Sequence, residues 1–183
     1  MADSVEALSP LPEAAFSGEG IAISRAHGLR RYSLRARDPA TLAELTGLPM
    51  PGRIGETSGG VARLGPDEFY ALLPPERELR LSKAAPASIV DVSSRSVGIV
   101  IEGQRAAQVI MSGCPLDMDR MAVGRATRTI YETVEIILFR PDERRFHIEV
   151  WRSFAPWLWQ SLVEAGLPRL PESAPGSLNI RGS

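Results

Sequence analysis

The run Pro141-Asp142-Glu143-Arg144-Arg145-Phe146-His147-Ile148-Glu149-Val150-Trp151-Arg152-Ser153-Phe154-Ala155-Pro156-Trp157-Leu158-Trp159 holds a turn, a strand and the start of a helix. Pro141–Arg144 is turn chemistry, and the β-branched run Thr129–Phe139 before it reads as one long strand. Alternation in Phe146–Trp151 puts Phe146, Ile148 and Val150 on one face and His147, Glu149 and Trp151 on the other. The two strands pair as an antiparallel hairpin. A helix follows over Phe154–Ala165, with Ser153 as its cap, Pro156 in the tolerant first turn, and Gly166 with Pro168 ending it.

That helix carries an unusual amount of apolar surface. Projected at about 100° per residue, Phe154, Leu158, Leu162 and Ala165 share one face. Trp157 flanks it on one side, and Trp159 with Val163 extends it on the other. Only Gln160 and Glu164 mark a polar sector. Two readings of this breadth stand. Either the helix is buried deep in its own fold, or one flank meets its own sheet while the other meets a separate chain. Tryptophan and arginine favour the centres of interfaces, so Trp151, Arg152, Trp157 and Trp159 are candidate subunit-interface residues. Arg125 and Arg128 join them, as a pair suited to a carboxylate, a phosphate or a partner's acidic side chains.

Elsewhere the pattern repeats on a smaller scale. Ile89–Val92 and Val97–Ile101 are strands, and Gln104–Met111 is a short helix with Ala106, Ala107 and Ile110 on one face. In the first half Ile21–Ser24, Leu29–Leu34, Val61–Leu64 and Phe69–Leu73 are strand candidates. Thr41–Leu45 is a short helix with Asp38 as N-cap, Pro39 at the first position and Gly47 closing it. Short hairpins interleaved with a few helices give an α+β class with mainly antiparallel sheets. The expected division is two small, intimately packed pieces at 18–87 and 88–170. An extended N-terminal arm (1–17) and a flexible C-terminal tail (171–183) bracket them, both polar and rich in proline.

Composition narrows the partners. Lysine plus arginine is 21 against 22 acidic residues, a net charge of −1, so no cationic surplus exists to displace counterions from nucleic acid. Twenty of those cations are arginine, since Lys83 is the lone lysine, a bias that base composition explains most simply. One cysteine, Cys114, excludes an internal disulfide and a cysteine-based zinc cluster within the chain. The N-terminus lacks a basic and an apolar signal region, and no stretch approaches the roughly 20 apolar residues of a membrane span. A cytoplasmic protein away from membranes is the expectation.

The catalytic inventory is thin. No GxGxxG, Walker loop, HExxH or GxSxG occurs. His27 and His147 lie 120 residues apart without ligand spacing, and His147 reads as a half-buried strand residue. Cys114 sits just past a helix C-terminus, where the dipole disfavours a thiolate, and reads as a small buried hydrophobe. Asp117 and Asp119 are spaced as solvated loop carboxylates more than as an acid–base pair.

A series of motifs adds to this. Leu64-Gly65-Pro66-Asp67-Glu68-Phe69, Val90-Asp91-Val92-Ser93, Arg95, Gly113-Cys114-Pro115-Leu116-Asp117, Gly124, Thr127-Arg128-Thr129 and Val150-Trp151-Arg152-Ser153-Phe154-Ala155-Pro156 occur in that order. Together they resemble the gamma subunits of heterotetrameric sarcosine oxidases, over residues 20–167, and the last run is the most specific. The resemblance implies a folate-binding fold related to glycine-cleavage aminomethyltransferases. It implies alpha, beta and delta subunits as partners, in a complex acting as an oxidoreductase on CH–NH donors. That complex oxidises sarcosine to glycine, producing hydrogen peroxide and passing a one-carbon unit to tetrahydrofolate. FAD, FMN, NAD, tetrahydrofolate and zinc are expected in the other subunits, and this chain is expected to bind none of them and to supply no catalytic residue.

Two other readings remain. A free-standing folate-binding protein of the aminomethyltransferase-like superfamily is the first. The iron–sulfur maintenance branch of that superfamily carries Lys-Gly-Cys-Tyr-x-Gly-Gln-Glu, whereas here Ser112 precedes Gly113-Cys114 and Pro115-Leu116-Asp117 follows. A non-enzymatic interaction adaptor is the second.

Overall fold

The computed structural model describes residues 9–80 and 86–168, so the expected tail and residues 1–8 of the expected arm lie outside the described residues. In chain order come strands Phe16–Gly18 (β1), Ile21–Arg25 (β2) and Arg30–Arg35 (β3), then helix Pro39–Thr46 (α1). Strands Thr57–Ser58 (β4), Val61–Arg63 (β5), Glu68–Leu73 (β6), Ser88–Asp91 (β7) and Ser96–Glu102 (β8) follow. Helix Ala106–Met111 (α2), strands Arg125–Tyr131 (β9), Val134–Asp142 (β10) and Arg145–Trp151 (β11), and helix Ala155–Gly166 (α3) complete it. The strands form a six-stranded sheet, ordered β1-β2-β8-β11-β10-β9, and a five-stranded sheet, ordered β4-β5-β6-β3-β7. Every pairing is antiparallel. The fold is α+β.

The sheets do not divide where the sequence suggested. β2, from the first half, pairs with β8 of the second, and β7, from the second half, pairs with β3 of the first. Ile21 and Ile23 thereby join the core beneath α2 and α3. Each half lends a strand to the other's sheet, so the boundary at 87/88 separates no independent core. Alternation shows which residues share a face, but not which sheet the strand enters.

Four layers result. Leu158, Trp159 and Leu162 of α3 and Val109 and Ile110 of α2 pack on Ile99, Ile136, Leu138, Phe146, Ile148 and Val150. On the opposite face Ala126, Ile137 and Phe139 meet Ala62 and Tyr70 of the five-stranded sheet and Val92 just past β7. The outer face of that second sheet, with Tyr32, Leu34, Phe69 and Leu73, is covered by Leu42 and Leu48. Each fully buried aliphatic or phenyl side chain contributes about 1.5–3 kcal/mol of transfer free energy.

Local chemistry explains α1 fully. Asp38 Oδ1 accepts from the Ala40 N–H at 3.0 Å, Pro39 occupies the first turn, and Gly47 closes the helix in the left-handed region at φ 65°. Two other expectations needed correction. The run Thr129–Phe139 is two strands, reversing at Glu132-Thr133 with Tyr131 opposite Val134. Glu132 adopts φ 50°, and its N–H donates to the Gly113 carbonyl at 2.6 Å. Docking onto the end of α2, in place of glycine or proline turn chemistry, makes this bend.

Helix α3 also differs from the expectation. It begins at Ala155, with Phe154 at the N-cap position and no side chain capping it, so Ser153 is not the cap. The buried face is Ala155, Leu158, Trp159, Leu162 and Gly166, and Phe154 is 47% exposed. Phe154 lies outside the helix, and the flank turned to the sheet is the one that carries Trp159, leaving Trp157 outside. No helix among the described residues is long and apolar enough to cross a membrane.

Candidate functional site

Strand alternation puts His147 and Glu149 on the face of β11 that the second sheet covers. The sequence suggested a half-buried His147; it is 8% exposed, and Glu149 only 2%. Glu149 Oε2 accepts from Arg31 Nε of β3 at 2.5 Å and from the Tyr70 hydroxyl of β6 at 3.1 Å. Its Oε1 lies 2.6 Å from His147 Nε2, and Arg31 Nη1 also donates to the Leu29 carbonyl at 3.0 Å. One carboxylate thus ties three strands from two sheets together. Gly98 faces Glu149 in the β8–β11 register, and its missing side chain leaves the room this carboxylate occupies.

The electrostatics follow from burial and pairing. Burial pushes Glu149 up, but the hydrogen bond and charge of His147, with those of Arg31, outweigh it and hold the carboxyl below its ordinary range. For Tyr70, burial first and the Glu149 charge second push the phenol well above its ordinary value. Glu149 stays ionised and Tyr70 stays protonated across neutral pH. Neither is poised to exchange a proton near pH 7, as a general acid or base must be. A cavity of 140 Å³ opens beside Tyr70, Ser96 and Glu149, and another of 550 Å³ has His147 and Arg145 in its wall. No group of three or more His, Cys, Asp and Glu side chains among the described residues is placed to hold a metal ion.

The sequence-predicted interface residues separate. Trp159 is 9% exposed and belongs to the core under the six-stranded sheet, which corrects its place among surface candidates. Trp151 and Trp157 are 40% and 39% exposed, and Trp157 meets Tyr131 edge-on at 6.4 Å. Arg125 Nη2 donates to the Ile54 carbonyl at 3.0 Å. Arg128 pairs with Glu135 at 2.6 Å and with Glu68, bridging the two sheets near the surface. Both arginines are therefore engaged within the chain. Arg152 lies beside Trp151 in the wall of an open surface groove. The helix thus uses its Trp159 flank inward and leaves its Trp157 flank at the surface.

Two groups escaped the sequence reading. The buried Arg31–Glu149 pair spans 118 residues, and no local spacing signals a contact of that range. Arg95, whose guanidinium lies 5.0 Å from the Trp151 ring centre, was visible only as a member of the motif series.

No protein-family model matches the chain. Two curated relatives do. The sarcosine oxidase subunit gamma of Corynebacterium sp. (strain P-1) is 30% identical over 138 residues, covering 69% of this chain and 68% of the relative. That of Corynebacterium sp. (strain U-96) is 29% identical over 179 residues, covering 90% and 86%. Among solved structures, heterotetrameric sarcosine oxidase from Corynebacterium sp. U-96 in complex with pyrrole 2-carboxylate contains a chain superposing with TM-score 0.70 at 25% identity, over 85% of this chain and 91% of that one. Glycine cleavage system aminomethyltransferase T from Bartonella henselae shares the fold, with TM-score 0.60 at 14% identity, over 79% of this chain and 45% of that one. With two intersheet strands exchanged on an aminomethyltransferase-like frame and gamma subunits as relatives over most of its length, the chain belongs to the sarcosine oxidase gamma-subunit family.

Proposed function

We propose that this chain is the gamma subunit of a cytoplasmic heterotetrameric sarcosine oxidase, an assembly subunit that packs among alpha, beta and delta subunits. The complex oxidises sarcosine to glycine with release of hydrogen peroxide and passes the one-carbon unit to tetrahydrofolate. FAD, FMN, NAD, tetrahydrofolate and zinc reside in the other subunits, and this chain supplies architecture in place of catalytic groups.

The observation that carries this reading is the contrast between interior and surface. The buried ionisable groups Glu149, Arg31 and His147 are consumed by one another, while large aromatic side chains stay at the surface around the start of α3. Mutual pairing of these groups suits a scaffold, and exposed tryptophan beside arginine suits a contact surface.

Omitting this chain from coexpression of the four subunits tests the reading. Loss of the assembled particle, together with loss of sarcosine-dependent peroxide formation, is the expected result. Full assembly and activity without it would contradict the proposal. Titrating the isolated chain with tetrahydrofolate and with flavins tests the non-catalytic part, since micromolar binding of either would defeat it.

A further inference from the structure

Arg95 lies in the turn before β8, and its guanidinium stacks over Trp151 at 5.0 Å. Backbone pairing fixes the stack: Ser96 is the register partner of Trp151, and the Arg152 N–H donates to the Arg95 carbonyl at 2.7 Å. Arg31, Arg35, Arg128 and Arg145 each meet a carboxylate of this chain. Arg95 makes no such ion pair among the described residues, although it borders the 140 Å³ cavity that also holds Glu68, Glu135 and Glu149, and its guanidinium lies over the indole.

The stack forms a wall of an open groove of 670 Å³, with Pro10, Ser153 and Pro156 among the other walls. No aspartate or glutamate is among the described residues lining it. A guanidinium held flat on an indole keeps its edge N–H donors free, in the fork that matches a carboxylate bidentately. The groove's charge is therefore complementary to an acidic group. Its open shape, and the exposed aromatic surface of Trp151 in its wall, suit a polypeptide segment and not an enclosed small molecule.

We infer that the Arg95–Trp151 stack is the anchor for an acidic segment of a partner subunit, whose carboxylate pairs with Arg95 while an apolar neighbour covers the indole. This rests on the reading of the chain as one subunit of an assembly. It deepens that reading by naming the contact and the charge of its partner. Trp and Arg side chains that become desolvated at the middle of an interface carry a disproportionate share of binding energy.

The test coexpresses the wild-type chain, Arg95→Glu, Arg95→Gln, Arg95→Lys and Trp151→Ala with the remaining subunits. Dissociation of this chain from the purified complex is measured at low and high salt. Wild-type affinity is expected to fall with salt, because part of it is an ion pair near the surface. Arg95→Glu and Trp151→Ala are each expected to weaken retention at least about tenfold, and Arg95→Glu to flatten the salt dependence. Arg95→Lys keeps charge without the fork and should fall between. Thermal unfolding of each purified variant checks the fold, and Arg95→Gln carries the test if Arg95→Glu does not fold. Arg95 variants retained like the wild type would overturn the inference. Loss in Trp151→Ala alone would likewise overturn it, since the seat would then be purely apolar. Failure of the wild-type chain to join the others would instead sink the subunit reading, and this inference with it.

Discussion

Gly98 and Glu149 face each other across the β8–β11 pair, and the hydrogen on the first is the condition for burying the charge on the second. A β-carbon at Gly98 would stand 2.7 Å from Glu149 Oε1, 2.8 Å from the Ala26 β-carbon and 2.9 Å from Arg31 Nη2. The carboxylate and its guanidinium partner fill the volume that any other residue would claim.

Gly98→Ala should therefore destabilise the chain by about 1–3 kcal/mol, the range for forcing a methyl into a packed site. Urea unfolding measures it. A variant as stable as the wild type would mean that Glu149 has freedom to withdraw, contrary to its pairing on both oxygens.

Removing the Glu149 charge leaves Arg31 buried opposite a neutral group. Glu149→Gln should cost about 3–5 kcal/mol, because an uncompensated buried charge is worse than no pair at all. Replacing both residues with hydrophobes, Arg31→Met with Glu149→Leu, should recover most of that loss. Equal stability of Glu149→Gln and wild type would show that water reaches the pair.

Acid should act on the same carboxylate. Its folded value is depressed, so its contribution is present above the ordinary glutamate value of about 4.3 and is lost as pH falls through the folded value. Urea unfolding below pH 4.3 should show this fall, and Glu149→Gln should lack its share of it. Tyr70 acts at the other end. Its folded value is raised, so its contribution is complete below about pH 10 and is lost as pH rises beyond that. Tyr70→Phe should remove this alkaline component.

The two helix tryptophans should behave oppositely. Trp159→Ala opens the core beneath the six-stranded sheet and should cost about 3–5 kcal/mol of folding stability. Trp157→Ala loses an edge-on ring contact with Tyr131 worth about 0.5–1.5 kcal/mol beyond area, and should keep the fold. Thermal denaturation of the two variants distinguishes them, and similar losses would contradict the assignment of their flanks.

Legibility followed the range of the interaction. The first helix was readable residue by residue, because Asp38, Pro39 and Gly47 act on backbone groups a few positions away. The alternation of β11 correctly grouped Phe146 with Ile148 and His147 with Glu149, yet it could not say that both faces are covered. That depends on Tyr70 and Arg31 arriving from another sheet. The reversal at Glu132 was hidden because a hydrogen bond to Gly113, rather than any turn residue, makes it. For α3, the breadth of the apolar surface is evident in the sequence, and a split between core and exterior is one of the two arrangements it allows. Which tryptophan took which side depends on which flank of that broad surface meets the sheet, and periodicity alone does not give that.

Native mass spectrometry of the particle purified through this chain after coexpression with its companions is the most direct measurement. One species holding this polypeptide with three different chains, and flavin mass released only with the others, is the expected spectrum. A lone chain that consumes sarcosine, or one that carries flavin itself, would contradict the account.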